Sequence, residues 1–268
     1  MLQIAYLRPD QVQQRLTECP VVYIPLGPIE WHGPHLPMGT DPLNAESMAL
    51  AACEQTGGIV WQTLFFGTER ERTPKMLESL GFDRDAYIVG MDFPNNTLPS
   101  AYCPEEIFAM AVREVLREVR AIGARYAVLV NGHGAVNHLA VLNRLATESN
   151  HTTDLRVIFG RGKPAPKAPK ALKAAPSSGG HADEGETSLM MHLYGETVDL
   201  GQLPPADQPI RYSDYAIVDG PGFDGTGPAD HVLQNDPRTK SSAQKGRAAF
   251  DVAVKRLVER VASAMAEA

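Results

Sequence analysis

The sequence has few cysteines, no surplus of positive charge and no long apolar run, and each shortage excludes something. Three cysteines in 268 residues, Cys19, Cys53 and Cys103, are an odd number without the paired spacing of zinc knuckles. They read as reduced, structural residues, which suits a cytoplasmic protein. The net charge of −7 argues against nucleic acid or an anionic membrane as partner, because both repel an acidic surface that lacks a concentrated basic patch. No stretch approaches the roughly 20 apolar residues of a membrane helix. The amino terminus, Met1 to Asp10, has neither the charged start nor the apolar core of an export signal. The expectation is a soluble chain whose 43% hydrophobic content suffices for one packed core over residues 1–268, without internal repeats.

What the chain does have is a concentration of metal-competent side chains at the ends of apolar runs. Val21 to Leu26 reads as a strand, and it delivers Glu30, His32 and Asp41 to the edge of a sheet, where open α/β folds place their chemistry. Gly33, Pro34, Pro37, Gly39 and Pro42 fold the intervening loop back on itself. Oxygen and nitrogen donors of this kind bind Zn²⁺, Mn²⁺ or Fe²⁺, although acidic residues and histidines in such loops also serve as solvated turns. The run Val128-Leu129-Val130-Asn131 repeats the arrangement and ends in the Gly-rich turn that carries His133. A third group, His181, Asp183, Glu184 and Glu186, precedes an apolar helical run that Thr187 or an acidic neighbour can cap.

These segments, in this order, carry a family resemblance. Pro25-Leu26-Gly27, Glu30, His32-Gly33-Pro34-His35-Leu36-Pro37 and Gly39-Thr40-Asp41, then Asn131-Gly132-His133-Gly134, then His181-Ala182, Glu184 and Glu186-Thr187-Ser188, resemble the creatininase (creatinine amidohydrolase) family. Asn235 to Arg238 with the following Lys245-Gly246-Arg247 resembles its closing segment. The resemblance implies a three-layer α/β/α domain with a mostly parallel central sheet. It also implies two divalent metal ions, Zn²⁺ or Mn²⁺ foremost and Fe²⁺ next, and a ring-shaped homo-oligomer, a hexamer. The implied activity is hydrolysis of a C–N bond in a small amide.

Two ions about 3.5 Å apart need a bridging oxygen donor, and Asp41 is the candidate bridge. By resemblance Glu30 holds one metal with His133, and His32 holds the other. The member that gives the family its name draws a further carboxylate from two residues beyond the histidine matching His133. That position is Ala135, which cannot ligate. Relatives with a Gly-rich turn there carry a glutamate in a His-Ala-Gly-Glu segment, so Glu184 is expected as the missing ligand and as part of the catalytic site. A helix beginning near Glu186 would point Glu184 inward and leave Glu186 to favour the helix amino terminus. Glu186 is the rival.

Amide hydrolysis needs a nucleophile, carbonyl polarisation and a proton for the departing nitrogen. A metal-bridged hydroxide provides the first, since coordination lowers the pKa of water from about 15.7 towards 7. His181, titrating near neutrality, is the candidate for the third. His35 is read as a hydrogen-bonding loop residue, His138 and His192 as helix residues facing solvent or core, and His231 as able to approach the site from a late loop. Trp31 either walls the pocket or packs beneath it. Tyr87, Phe93 and Tyr102 either line a substrate pocket or anchor their loop.

Between these segments the sequence predicts helices over 11–18, 42–55, 104–122, 136–149 and 242–265. It predicts strands at 21–25, 59–66, 125–131 and 156–159. Residues 67–104 form a connection too long to be ordinary, which points to function. The Lys/Pro/Ala-rich stretch 162–178, with four prolines and four lysines in Lys163 to Pro176, reads as a surface excursion next to the site. It also fills the interval where substrate-facing aromatics are expected by resemblance, so creatinine itself is not implied as substrate. The leading expectation is a metal-dependent amidohydrolase acting on a small cyclic amide or formamide. Its rivals are a metallopeptidase-like enzyme that trims a peptide and a noncatalytic metal-binding homologue.

Overall fold

The structure, a computed structural model, describes residues 1–160 and 179–267. The Lys/Pro/Ala-rich stretch 162–178 lies outside the described residues. Four parallel strands, β1 (Val21–Leu26), β2 (Ile59–Val60), β3 (Tyr126–Asn131) and β4 (Arg156–Ile158), form one sheet in the order β2-β1-β3-β4. Helices α1 (Pro9–Glu18), α2 (Thr40–Thr56), α3 (Pro74–Leu80), α4 (Glu105–Ala121) and α5 (Val136–Thr152) are followed by α6 (Glu184–Leu193). Three short helices, α7 (Tyr212–Tyr215), α8 (Gly220–Asp224) and α9 (Pro237–Lys240), precede the long α10 (Ala243–Ala266).

Every residue of β1 is buried, as a strand covered on both faces requires. Successive side chains alternate between the two faces. Val22, Ile24 and Leu26 pack with Phe108 and Val112 of α4 and with Leu142 of α5. Val21 and Tyr23 pack with Ala45 and Ala49 of α2 and with Leu257 of α10. The result is an α/β/α sandwich with an all-parallel sheet among the described residues, in agreement with the fold that the sequence implied.

Two elements depart from expectation. The predicted strand 59–66 is cut to Ile59–Val60, with one further bridge at Leu26 and Leu64. Pro25 accepts the Leu64 N–H at 2.9 Å but has no N–H to return, so the ladder cannot run unbroken along this edge. Residues 67–104 are mostly irregular but contain α3, which is capped by Thr73 and closed by left-handed Gly81. Leu77, Leu80, Met91 and Phe93 from this segment join Trp31 and Ile217 in a separate apolar cluster. Among the described residues no helix is long and apolar enough to cross a membrane.

Candidate metal centre

β1 and β3 are neighbours in register, with Leu26 beside Asn131, so the loops leaving them open at the same place. The first loop carries Glu30 and His32 and runs into α2, which starts two residues earlier than predicted and holds Asp41 in its first turn. The second turn carries His133. Glycine makes this convergence sterically allowed: a Cβ on Gly132 would lie 2.1 Å from the Asp41 carbonyl oxygen, and one on Gly27 would lie 2.8 Å from the Asp41 Cβ. Both glycines stand in the sequence motifs, but their role shows only when α2 is seen wedged between the two strand ends.

Asp41 occupies the middle of the cluster. Its Oδ2 lies 2.9 Å from His133 Nδ1, and its Oδ1 lies 3.3 Å from His32 Nε2. Glu30 Oε2 approaches the same His133 nitrogen at 3.0 Å, and Glu186 Oε2 approaches the same His32 nitrogen at 3.7 Å. The donors therefore divide into two sets that share Asp41: Glu30, Asp41 and His133 on one side, His32, Asp41 and Glu186 on the other. Glu30, His32 and His181 form a third group of donor atoms close enough to share an ion.

The chemistry of these sets fits divalent cations. His32 Nδ1 donates to the Glu30 carbonyl at 3.0 Å, which leaves Nε2 buried, without a hydrogen-bond partner, and directed at two carboxylates. Lone pairs facing lone pairs in a buried site need positive charge between them, from a proton or a metal. With protein groups alone the imidazoles must supply it. Burial disfavours the His32 imidazolium, yet Asp41, Glu186 and Glu30 outweigh this and hold its pKa up at about 10. His133 is likewise buried and raised well above its usual value by Glu30 and Asp41. Glu30, despite its burial, is lowered well below the ordinary carboxylate range by His133, His181 and His32. Glu186 is pushed up to about 8 by burial first, against the pull of His32, and by the charges of Asp41 and Asp183.

The structure brings Glu30, His32, Asp41, His133 and His181 together but turns Glu184 away. Glu184 Oε1 accepts from Lys245 Nζ at 2.7 Å and so ties α6 to α10. The reason is where α6 starts. Asp183 caps the helix by accepting from the Gly185 and Glu186 amides at 2.9 and 3.1 Å, which makes Glu184 the first helical residue. Two residues along a helix rotate a side chain by about 200°, so Glu184 faces outward and Glu186 faces inward, the reverse of the expectation. Glu186 also accepts the Ala182 amide at 2.6 Å, the helix-terminal role foreseen for it, while its carboxylate reaches the cluster.

His181 stands beside His32, ring centroids 4.3 Å apart, with Nε2 2.6 Å from the Trp31 carbonyl. Burial and the neighbouring His32 lower its pKa to about 4. Trp31 itself is buried and donates its indole N–H to the Tyr215 carbonyl, so it packs beneath the loop. His35 pairs with Thr187 Oγ1 at 2.9 Å across to α6 rather than within its own loop. His138 is a core residue, stacked on Phe108 and 2.9 Å from Asn131 Oδ1. Asn131 in turn braces both backbone ends of the His133 residue. His231 bonds the Ser79 carbonyl at 3.0 Å and belongs to none of the three donor groups. Tyr87 is exposed and Phe93 buried in the second apolar cluster, whereas Tyr102 reaches Glu30.

Known proteins resemble this chain over nearly its whole length. Creatinine amidohydrolase of Pseudomonas putida is 26% identical over 260 residues, covering 90% of this chain and 88% of that protein. The mycofactocin precursor peptide peptidase of Mycolicibacterium smegmatis is also 26% identical, over 240 residues, covering 85% and 79%. A crystal structure of creatininase superposes with a TM-score of 0.64 at 21% identity, covering 98% and 97% of the two chains. A manganese creatininase gives 0.62 at 22% identity, covering 97% of each. A Zn–Zn type creatininase mutant gives 0.63 at 22%, covering 97% and 96%. With the donor groups on the motif segments and a creatininase (creatinine amidohydrolase) family model matching residues 5–261, the chain belongs to the creatininase family.

Proposed function

We propose that this chain is a metal-dependent amidohydrolase that cleaves a C–N bond of a small cyclic amide or formamide. The observation that carries the reading is the division of donors around Asp41, whose two oxygens face two different histidines. Glu30, Asp41 and His133 would hold one divalent ion, and His32, Asp41 and Glu186 the other. The manganese and Zn–Zn creatininases support Mn²⁺ or Zn²⁺ as occupants. Such ions make water a competent nucleophile near neutral pH and polarise the substrate carbonyl.

The chain's own residues supply the rest. Asn131 holds the His133 turn, and the Glu30 carbonyl fixes the tautomer of His32 so that Nε2 faces the carboxylates. His181 is held mostly neutral, with Nε2–H donating to the Trp31 carbonyl. That leaves Nδ1 to take up a proton and pass it to the leaving nitrogen. Burial of Glu30, His32, Asp41, His133 and His181 limits access of bulk water to the reacting groups.

A peptide substrate is the second reading, favoured by the equal identity to a peptide-processing relative. Metal-loaded protein assayed against lactams, formamides and short peptides decides between them. Turnover of the small amides that is abolished by chelation is expected. Turnover of peptides alone would replace the first reading with the second, and turnover that survives complete metal removal would sink both.

A further inference from the structure

We propose that Tyr102 is a positioning residue of the metal centre, whose phenol holds Glu30 by one carboxylate oxygen so that the other is presented with Asp41 and His133. The inference rests on Glu30 serving as a ligand. Tyr102 Oη donates to Glu30 Oε1 at 2.5 Å, a separation at the short end for a hydroxyl donating to a carboxylate. The opposite oxygen, Oε2, is the one 3.0 Å from His133. A phenol donating to one oxygen fixes the rotation of the carboxylate and so sets the direction of the other oxygen.

Three further features show that the phenol is placed rather than merely present. First, its oxygen accepts the Met91 amide at 3.1 Å, so its hydrogen is directed to Glu30. Second, the chain around Tyr102 is stitched to both neighbours of Glu30: the Ala101 amide donates to the Ile29 carbonyl at 2.7 Å, and the Trp31 amide donates to Ser100 Oγ at 3.0 Å. Third, room for the phenol depends on Gly90. At φ +57° this residue is in the left-handed region, and a Cβ on it would lie 2.6 Å from Tyr102 Oη. Gly90 in turn is fixed by its amide N–H donating to the Arg70 carbonyl and by Arg72 Nε donating to the Gly90 carbonyl at 2.7 Å. The long connection 67–104 thus reaches the Glu30 carboxylate through the Tyr102 hydroxyl.

Tyr102→Phe keeps the ring and removes the hydroxyl. Wild-type, Tyr102→Phe and Glu30→Gln proteins, each stripped of metal, would be titrated with Co²⁺ by calorimetry and visible absorption. Melting of the metal-free forms would be recorded alongside. The expected result is that Tyr102→Phe weakens one of the two sites by roughly 10-fold to 100-fold, the cost typical of losing a partner that orients a ligand. The weakened site should be the one lost in Glu30→Gln, with its Co²⁺ spectrum altered and the other site unchanged. Gly90→Ala should weaken the same site. Wild-type affinity at both sites in Tyr102→Phe would overturn the proposal, as would equal weakening of both sites together with a fall in metal-free melting temperature. If Glu30→Gln leaves both sites intact, Glu30 is no ligand, and the reading beneath the proposal falls with it.

Discussion

Among single residues, Asp41 and Glu186 carry the sharpest consequences. Asp41 offers one oxygen to each histidine, so its loss should remove two ions, whereas each other donor serves one. We expect Asp41→Ala to bind no metal by elemental analysis, Glu186→Gln to retain one ion per chain, and Glu184→Gln to retain both. Two ions retained in Asp41→Ala would refute the shared-carboxylate arrangement. Glu184→Gln should instead lower the melting temperature slightly, because its partner Lys245 is half exposed and such pairs contribute less than about 1 kcal/mol. His181 makes a different prediction. His181→Ala should keep its metal content and lower kcat by on the order of 10²-fold to 10⁴-fold, the usual contribution of a positioned acid or base. Loss of an ion in that variant would make His181 a ligand, using the donor group it forms with Glu30 and His32.

At the scale of elements, the site exists because α2 enters between the ends of β1 and β3, and Gly132 is the hinge of that fit. A methyl group there meets the Asp41 carbonyl, so Gly132→Ala should push α2 away at a cost of about 1 to 3 kcal/mol, as overpacking does. Gly134 lies two residues on, with nothing within 4 Å of an added Cβ, and supplies the control. Thermal melting and metal content should both fall in Gly132→Ala and stay at wild-type values in Gly134→Ala. Equal behaviour of the two would mean that close approach at Gly132 is not what sets Asp41. Elements were legible in the sequence where one physical rule governed them. β1 and β3 are unbroken apolar runs, and α4 and α10 repeat their apolar positions at helical spacing. β2 was misjudged because Pro25, on the neighbouring strand, lacks the N–H that a longer ladder needs. The start of α6 was misjudged by two residues because, of the residues able to cap the helix, it is Asp183 that does so.

For the whole molecule, Glu30 and Asp41 are buried and Glu186 is partly buried at one edge of the sheet, and the repulsion among these three carboxylates opposes folding unless cations intervene. Chelation should therefore lower the melting temperature, and Mn²⁺ or Zn²⁺ should restore it in a concentration-dependent way, by about 2.7 kcal/mol when free metal exceeds its Kd a hundredfold. A melting temperature indifferent to chelator and metal would contradict a metal centre at this position. The sequence by itself determined which donors are present and that they follow apolar strands, since strand patterning depends on residues adjacent in the chain. It also determined the layered parallel architecture, because near-continuous apolar strands alternating with amphipathic helices have few other ways to bury both faces of a sheet. Only the tertiary structure decided that Glu186 rather than Glu184 faces the centre, that Gly27 and Gly132 admit Asp41, and that Tyr102 reaches Glu30 from 72 positions away. Each depends on the rotation of one side chain about a helix or on contact between distant segments, and neither quantity is encoded in local residue order.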